Sequence, residues 1–482
     1  MSNQDLVVVL NGQVAGVITH EYSRPSFTYT DTYIDADGTP LSLSMPRRPG
    51  HTFGHRTVAP WLAGLLPDDP RVRQHWAREY GVAPENSSAL LEHIGRDCAG
   101  AVQIATVDTV SDVLSQTGHL EPASDKQIGQ RLRQLHTQSD QWARAQDRWS
   151  LAGHQSKFTI ARTPDGWAFT HGNAASTHIV KPGITRYDNQ ALNEHLCQSA
   201  LAAVGLAAAS TQYLEFDGTP AIVVSRYDRL HTGDDTIVRI HQEDMCQALS
   251  VWPHKKYASD GGPAAVTIAE LLSKQATQQD VDRFTDAVIA QYLLGAPDAH
   301  AKNYSIILAG DDAALAPLYD VASSLPYDPD PRSTLSRVAM PIAGQSRFGD
   351  LSYHRIERFA TNTGTDPDRL VATTRALAET LPDAITDAAQ HIPPDIIGEF
   401  GTRLRDGVAG QCASLQQPGR RRPVTDDTEE PDPPPTSPVD PVDDDNHDVP
   451  VVGHDRSGHP ITGHRRRRPT RSYSSDTAKP MS

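Results

Sequence analysis

The spacing of apolar residues changes several times along the chain, and each change marks an element. LVVVL and VAGVI flank Asn11-Gly12, the pair favoured in a two-residue type I′ turn, and predict a β-hairpin at the start. SFTYTDTYI reads as a further β segment. VAPWLAGLLPDD and RVRQHWAREYGV read as helices, with Gly81 placed to cap the second. ALLEHIGRDCAGAVQI is an apolar helix running into a glycine-rich turn. Residues 1–110 therefore form a small α/β domain. Residues 111–148, with the polar stretch IGQRLRQLHTQSDQWARAQ, read as a helical connector.

The pattern turns to strands after Trp149. KFTIAR and THIVK alternate, and ALNEHLCQSALAAVGL repeats apolar residues every fourth position (Leu192, Leu196, Ala200, Val204), the spacing of one buried helix face. TQYLEF and AIVVSRYDR predict two strands joined at Asp217-Gly218. Beyond Gln242 the chain reads as mainly helical, with VDRFTDAVIAQYLLGA its most apolar helix. The fold class is α+β, with a β-rich part over 149–240 and a helical part over 241–415.

Residues 416–482 differ in kind. They are rich in Pro and Asp, nearly free of aromatics, and too polar to offset the entropy of ordering, so a disordered tail is expected. Of the net charge of −16 the segment 418–482 carries −2, which leaves −14 on residues 1–417. An acidic body is a poor phosphate-neutralising surface, so broad DNA binding by this chain itself is not expected. No run approaches the ~20 apolar residues of a membrane span. The start lacks the features of a secretory signal, and the four cysteines are far apart with no CxxC pair, which points to a reducing cytoplasm.

Chemistry concentrates in four places. Asp298 and Asn303 stand five residues apart in DAHAKN, the spacing with which a kinase catalytic loop aims a proton-accepting carboxylate and a magnesium-binding amide into one cleft. Asp320 follows in the apolar segment Leu318–Val321, where a kinase keeps a second magnesium ligand. Lys181 ends a strand, and Glu194 lies 13 residues later on a helix, the logic of a phosphate-binding lysine and its partner. Ser150–Lys157 (SLAGHQSK) is a glycine-containing turn whose small residues let backbone N–H groups approach phosphate. Each signal alone has an ordinary structural reading. Their order along the chain is that of a kinase.

At these residues the chain resembles the HipA family, the serine/threonine kinase toxins of bacterial toxin–antitoxin pairs. The resemblance rests on LNGQVAGV and ALLEHIGRDCAGAVQI in the first domain, then SLAGHQSK, THIVKPG, NEHLC, SRYDR, QEDMCQ, KYASDGGP, GAPDAHAKNYSI and LAPLYDVAS, and spans roughly residues 5–410. It implies a two-lobed protein-kinase-like fold behind the N-terminal α/β domain, with ATP and Mg2+ as cofactors. By motif, Asp298 would be the catalytic base, and Asn303 and Asp320 the magnesium ligands. Lys181 and the loop Ala152, Gly153, His154, Gln155, Ser156 and Lys157 would bind phosphates. Ser225, Arg226 and Tyr227 would line the adenine hinge, with His300, Lys302 and Tyr319 near the nucleotide. Ser150 matches the serine that such kinases autophosphorylate, a modification that would expel the loop by charge repulsion. The family further implies an aminoacyl-tRNA synthetase as substrate, notably the glutamyl enzyme, with dormancy as the outcome. It also implies a small helix-turn-helix antitoxin (HipB-like) that carries the pair to operator DNA.

Pro297, where the family more often has Thr or Asn, and the long tail are departures. Two other readings stay open at this point: a small-molecule kinase of similar fold, and a non-catalytic co-repressor bound to an antitoxin.

Overall fold

The opening hairpin forms where the pattern puts it. β1 (Leu6–Leu10) and β2 (Gln13–Glu21) meet across Asn11 and Gly12, both in the left-handed region that a type I′ turn requires. The computed structural model describes residues 5–137, 148–232, 236–327, 330 and 332–415. The tail expected over 416–482 and the end of the connector helix lie outside these residues.

β3 (Arg24–Tyr29), β4 (Thr52–Phe53) and β5 (Val102–Thr106) complete an antiparallel sheet in the order β4-β3-β2-β1-β5. The strand expected over SFTYTDTYI stops at Tyr29. Thr30 then accepts a hydrogen bond from the Tyr33 N–H and starts the short helix α1 (Asp31–Asp35), so a local cap overrides the β propensity of Thr, Tyr and Ile. Helices α2 (His55–Gly64), α3 (Pro70–Tyr80) and α4 (Ser87–Ile94) cover one face, burying Trp61 and Trp76 against Leu6, Val8 and Leu10. Val7 and Val9 point the other way and pack on Val113 of α5 (Val110–Leu114). Both faces of β1 are covered, which is why its sequence is apolar throughout rather than alternating.

The second sheet has the order β10-β11-β9-β7-β8-β6. Its strands are β6 (Gly118–Ala123), β7 (Phe158–Thr163), β8 (Gly166–Gly172), β9 (His178–Lys181), β10 (Thr211–Phe216) and β11 (Thr219–Ser225). Helices α6 (Asp125–Thr137) and α7 (Gln190–Ala203) flank it. The segment read as a helical connector thus also supplies an edge strand. β6 is mostly exposed on both faces, so no alternation of apolar residues marks it. Phe158, Val180 and Val223 of this sheet share one hydrophobic core with Leu6, Trp61 and Trp149, so the N-terminal domain and the sheet are packed as one body.

Short strands follow. β12 (Arg229–Thr232) pairs with β13 (Thr236–Arg239), and β14 (His241–Asp244), β15 (Ser305–Ala309) and β16 (Asp312–Leu315) form a three-stranded sheet. The helical part is built from α8 (Met245–Ala248), α9 (Ala265–Gln275), α10 (Gln278–Leu293), α11 (Tyr353–Thr363) and α12 (Pro367–Gln390), with two more helices before residue 415. α8 has only four residues, and its start is fixed by a capping box in which Asp244 and Gln247 each bond the other's backbone. No helix among the described residues is long and apolar enough to cross a membrane. All four cysteines are buried thiols.

Candidate active site

The site is built where β9, α7 and the Asp320 segment converge. The Lys181 ammonium lies 2.7 Å from Glu194 Oε1 and 2.7 Å from Asp320 Oδ1. Leu318–Val321, expected as strand-like, is not a strand. Leu318 makes a single parallel bridge to Ala208, and the chain then turns at Asp320, whose φ of 60° is left-handed. Asp tolerates that conformation better than most residues, and here the turn accompanies a carboxylate bonded to Lys181. Burial alone would push the Lys181 ammonium down, but Asp320 and Glu194 outweigh it and hold it above its ordinary value. Burial would likewise lift Asp320, and Lys181 and then Lys157 hold it well below the usual carboxylate range. Asp320 is therefore an anion at neutral pH.

The Ser150–Lys157 loop closes over this group. Gly153 has a φ of 106°, a left-handed backbone conformation that favours glycine. Lys157 donates to Ala152 O at 2.8 Å, and Gln155 Nε2 donates to Pro182 O, next to Lys181, at 3.1 Å. Burial, then the like charge of Lys181, pushes Lys157 down to about 8. His154 is exposed, and Ala152 and Ser156 are half-buried. Ser150 is fully buried; its N–H donates to Asp97 O and its hydroxyl to Leu65 O at 2.7 Å.

The Asp298 loop follows α10. Gly295, left-handed at φ 64°, ends the helix, and Pro297 comes two residues later, a common place for proline after a helix end. The departure noted at Pro297 is thus compatible with the local backbone. Asn303 Nδ2 donates to Asp298 O at 2.7 Å, which leaves the Asn303 carbonyl oxygen as a ligand atom. The Asp298 carboxylate is half-exposed. It accepts from the Tyr257 hydroxyl at 2.5 Å and lies 3.6 Å from His300 Nε2. His300 is pushed down to about 4 by burial, so it is neutral at physiological pH, and Tyr257 meets its ring edge-on at 4.9 Å.

Two residues assigned to the nucleotide are engaged elsewhere. Lys302 is buried, and its ammonium lies 3.1 Å from Asp68, 3.5 Å from Asp244 and 3.4 Å from Gly64 O. The Arg226 side chain bonds Asp228, Ser176 and Cys98 O, facing the N-terminal domain. In both, ion pairs and carbonyls hold the side-chain donors. Ser225 bonds His178 at 3.2 Å. Tyr227 and Tyr319 stand 6.0 Å apart beside Ile222 and Val224, an apolar group next to Lys181 that suits a flat base. The Tyr319 hydroxyl donates to Lys302 O at 2.8 Å. The sequence assigns no role to Asp68, and none to Asp97 and Tyr257 although both lie in motifs of the resemblance, because nothing in their neighbours' spacing tells an ordinary loop residue from one that reaches a distant loop.

Residues 6–105 match the family model described as the HipA N-terminal domain, and residues 149–385 match the HipA-like C-terminal domain. Y4mE of Sinorhizobium fredii, which carries a kinase name, is 33% identical over 423 residues, covering 86% of this chain and 98% of that protein. The chain belongs to the HipA family. The serine/threonine-protein kinase toxin HipA of Shewanella oneidensis is 26% identical over 373 residues, 74% of this chain and 82% of that one. The solved complex of Shewanella oneidensis HipA with HipB and its operator DNA contains a chain of the same fold (TM-score 0.74, 23% identity, covering 85% of this chain and 97% of that chain). The HipA fold, α+β and kinase-like, is therefore the fold of this chain.

Proposed function

We propose that this HipA-family chain is an ATP- and magnesium-dependent serine/threonine protein kinase, acting as the toxin of a toxin–antitoxin pair. The observation that carries the reading is Lys181 held 2.7 Å from both Glu194 and Asp320. Such a lysine, fixed by a helical glutamate, is the kinase arrangement for holding nucleotide phosphates. The donor set suits a hard cation: an ionised Asp320 carboxylate and the Asn303 carbonyl oxygen. Bound magnesium supplies charge neutralisation on the phosphates.

The chain's own groups do the rest. Lys181, Lys157 and backbone N–H groups of residues 152–157 hold phosphate oxygens. Tyr227, Tyr319, Ile222 and Val224 enclose the base. Asp298 accepts the proton of the substrate hydroxyl as its oxygen bonds the γ-phosphorus and the bond to the ADP oxygen breaks. Neutral His300 and Tyr257 orient the carboxylate. Phosphate on Ser150 would switch the enzyme off by removing the loop. A HipB-like antitoxin and, through it, operator DNA are the proposed partners, supported by the assembly formed by the Shewanella protein. An aminoacyl-tRNA synthetase, the glutamyl enzyme first, is the proposed substrate, and the cytoplasm the proposed location.

The test is wild type and Asp298→Asn, each incubated with Mg-ATP and read by intact mass and site mapping. Phosphate on wild type alone, at Ser150, supports the reading. No phosphate on either, with no ATP binding by titration, overturns it in favour of a non-catalytic partner of an antitoxin.

A further inference from the structure

The end of α2 and the residues just after it reach the catalytic part at Gly64, Leu65, Pro67 and Asp68. Gly64 O accepts from Lys302, Leu65 O accepts from Ser150, and the Asp68 backbone N–H donates to Gly153 O at 2.8 Å, beside a parallel bridge between Pro67 and Gly153. The Asp68 carboxylate is buried, 3.1 Å from Lys302 and 3.1 Å from Lys256. Lys302 belongs to the Asp298–Asn303 loop. Lys256 directly precedes Tyr257, whose hydroxyl holds Asp298.

The phosphate loop and the Asp298 loop come from distant parts of the sequence. The segment that carries Asp68 touches both. We propose that Asp68 is a positioning residue for phosphoryl transfer: through its carboxylate and its own N–H, the N-terminal domain sets the Gly153 loop and the Asp298 loop in register. The inference rests on the kinase reading. It makes the N-terminal domain a working part of the site. Without the carboxylate, Lys256 and Lys302 face each other as like charges in a buried place, and the repulsion moves the very segments that carry Tyr257 and Asn303. Asp244 still holds Lys302, which keeps the loop attached but no longer centred.

The test uses the full chain as wild type, Asp68→Asn, and Asp286→Asn as a control, since the Asp286 pair with Arg369 lies away from the site. Hydrogen exchange is read peptide by peptide, and the initial rate of phosphate incorporation from Mg-ATP is measured alongside. The expected result for Asp68→Asn is exchange at least about tenfold faster in 150–157 and 298–303, unchanged exchange in 6–10 and 221–225, and transfer reduced about 100-fold, as for a displacement near 1 Å. The control should lower the melting temperature without either local change. Exchange that rises evenly over the chain, or transfer within twofold of wild type, would overturn the proposal. If wild type itself transfers no phosphate, the kinase reading fails, while the exchange pattern still reports whether Asp68 sets the two loops.

Discussion

The Ser150 hydroxyl donates a hydrogen bond to the carbonyl of Leu65 at 2.7 Å, in a position with no solvent exposure. A phosphate in that place would meet an acceptor with further acceptors and bring a charge of about −1.5 to −2. Phosphorylation of Ser150 therefore requires that the loop first leave Leu65, and it blocks the return. Ser150→Glu should weaken ATP binding at least about tenfold by calorimetric titration. Ser150→Ala, which loses one buried hydrogen bond, should cost about 1 kcal/mol in denaturant melts. It should also outlast wild type during preincubation with ATP.

Removing Lys181 leaves the buried carboxylate of Glu194 beside the half-buried one of Asp320. Lys181→Met should abolish phosphate incorporation and cost about 3–5 kcal/mol at pH 7, the usual penalty for an uncompensated buried charge. Part of that loss should return at pH 5, where one of the carboxylates takes up a proton. Glu194→Gln keeps a hydrogen-bond acceptor and should cost less. Melting both variants at the two pH values checks the order.

Lys157 supplies a pH signature. Its folded pKa, about 8, lies below the ordinary 10.5, so between these values the unfolded chain binds more protons and stability rises with pH. Below about 8 the ammonium is charged and the deficit is constant. The same titration removes a cation from the phosphate loop, so the Kd for ATP should rise as pH passes upward through about 8. Lys157→Met should flatten both profiles.

Asp97 is the hub between the N-terminal domain and the strand-end segment 225–229. Its carboxylate lies 2.8 Å from Arg229, 3.4 Å from Arg226 and 3.5 Å from Arg239, and it accepts from the Ser176 hydroxyl at 2.6 Å. Burial would raise its pKa, but the arginines hold it well below the ordinary 3.8. That stabilisation is present above 3.8 and is lost as pH falls through the folded value. Asp97→Asn should cost about 3–5 kcal/mol in thermal melts, with a shallower acid slope than wild type.

Local signals are legible in the sequence; chain reversals and most distant pairings are not. The Asn11-Gly12 hairpin, the helix carrying Glu194 and the Asp298–Asn303 spacing depend on neighbours a few residues apart, so the pattern displays them. Lys181 with Glu194 was legible because the 13 residues between them cover one strand end and one helix start. The strand expected at Leu318 turned into a left-handed turn at Asp320, since an apolar run does not encode where the chain reverses. Lys302 looked like a nucleotide contact, yet its partner Asp68 comes from the other end of the fold. β6 left no trace, because an exposed polar edge strand has no apolar face to repeat.

The contact between Gly64 and Lys302 spans 238 residues of sequence. During synthesis at ~5–20 residues per second, the first partner waits about 10–50 s for the second to leave the ribosome. Once residues 150–157 have emerged, that loop has its hydrogen bonds to Leu65 and Asp68 available, but for about 140 further residues no Asp298 loop to stand against. A translating ribosome thus carries a chain that can begin to fold from its first hairpin, yet lacks the Asp298 loop of the proposed site until nearly two-thirds of it has been made.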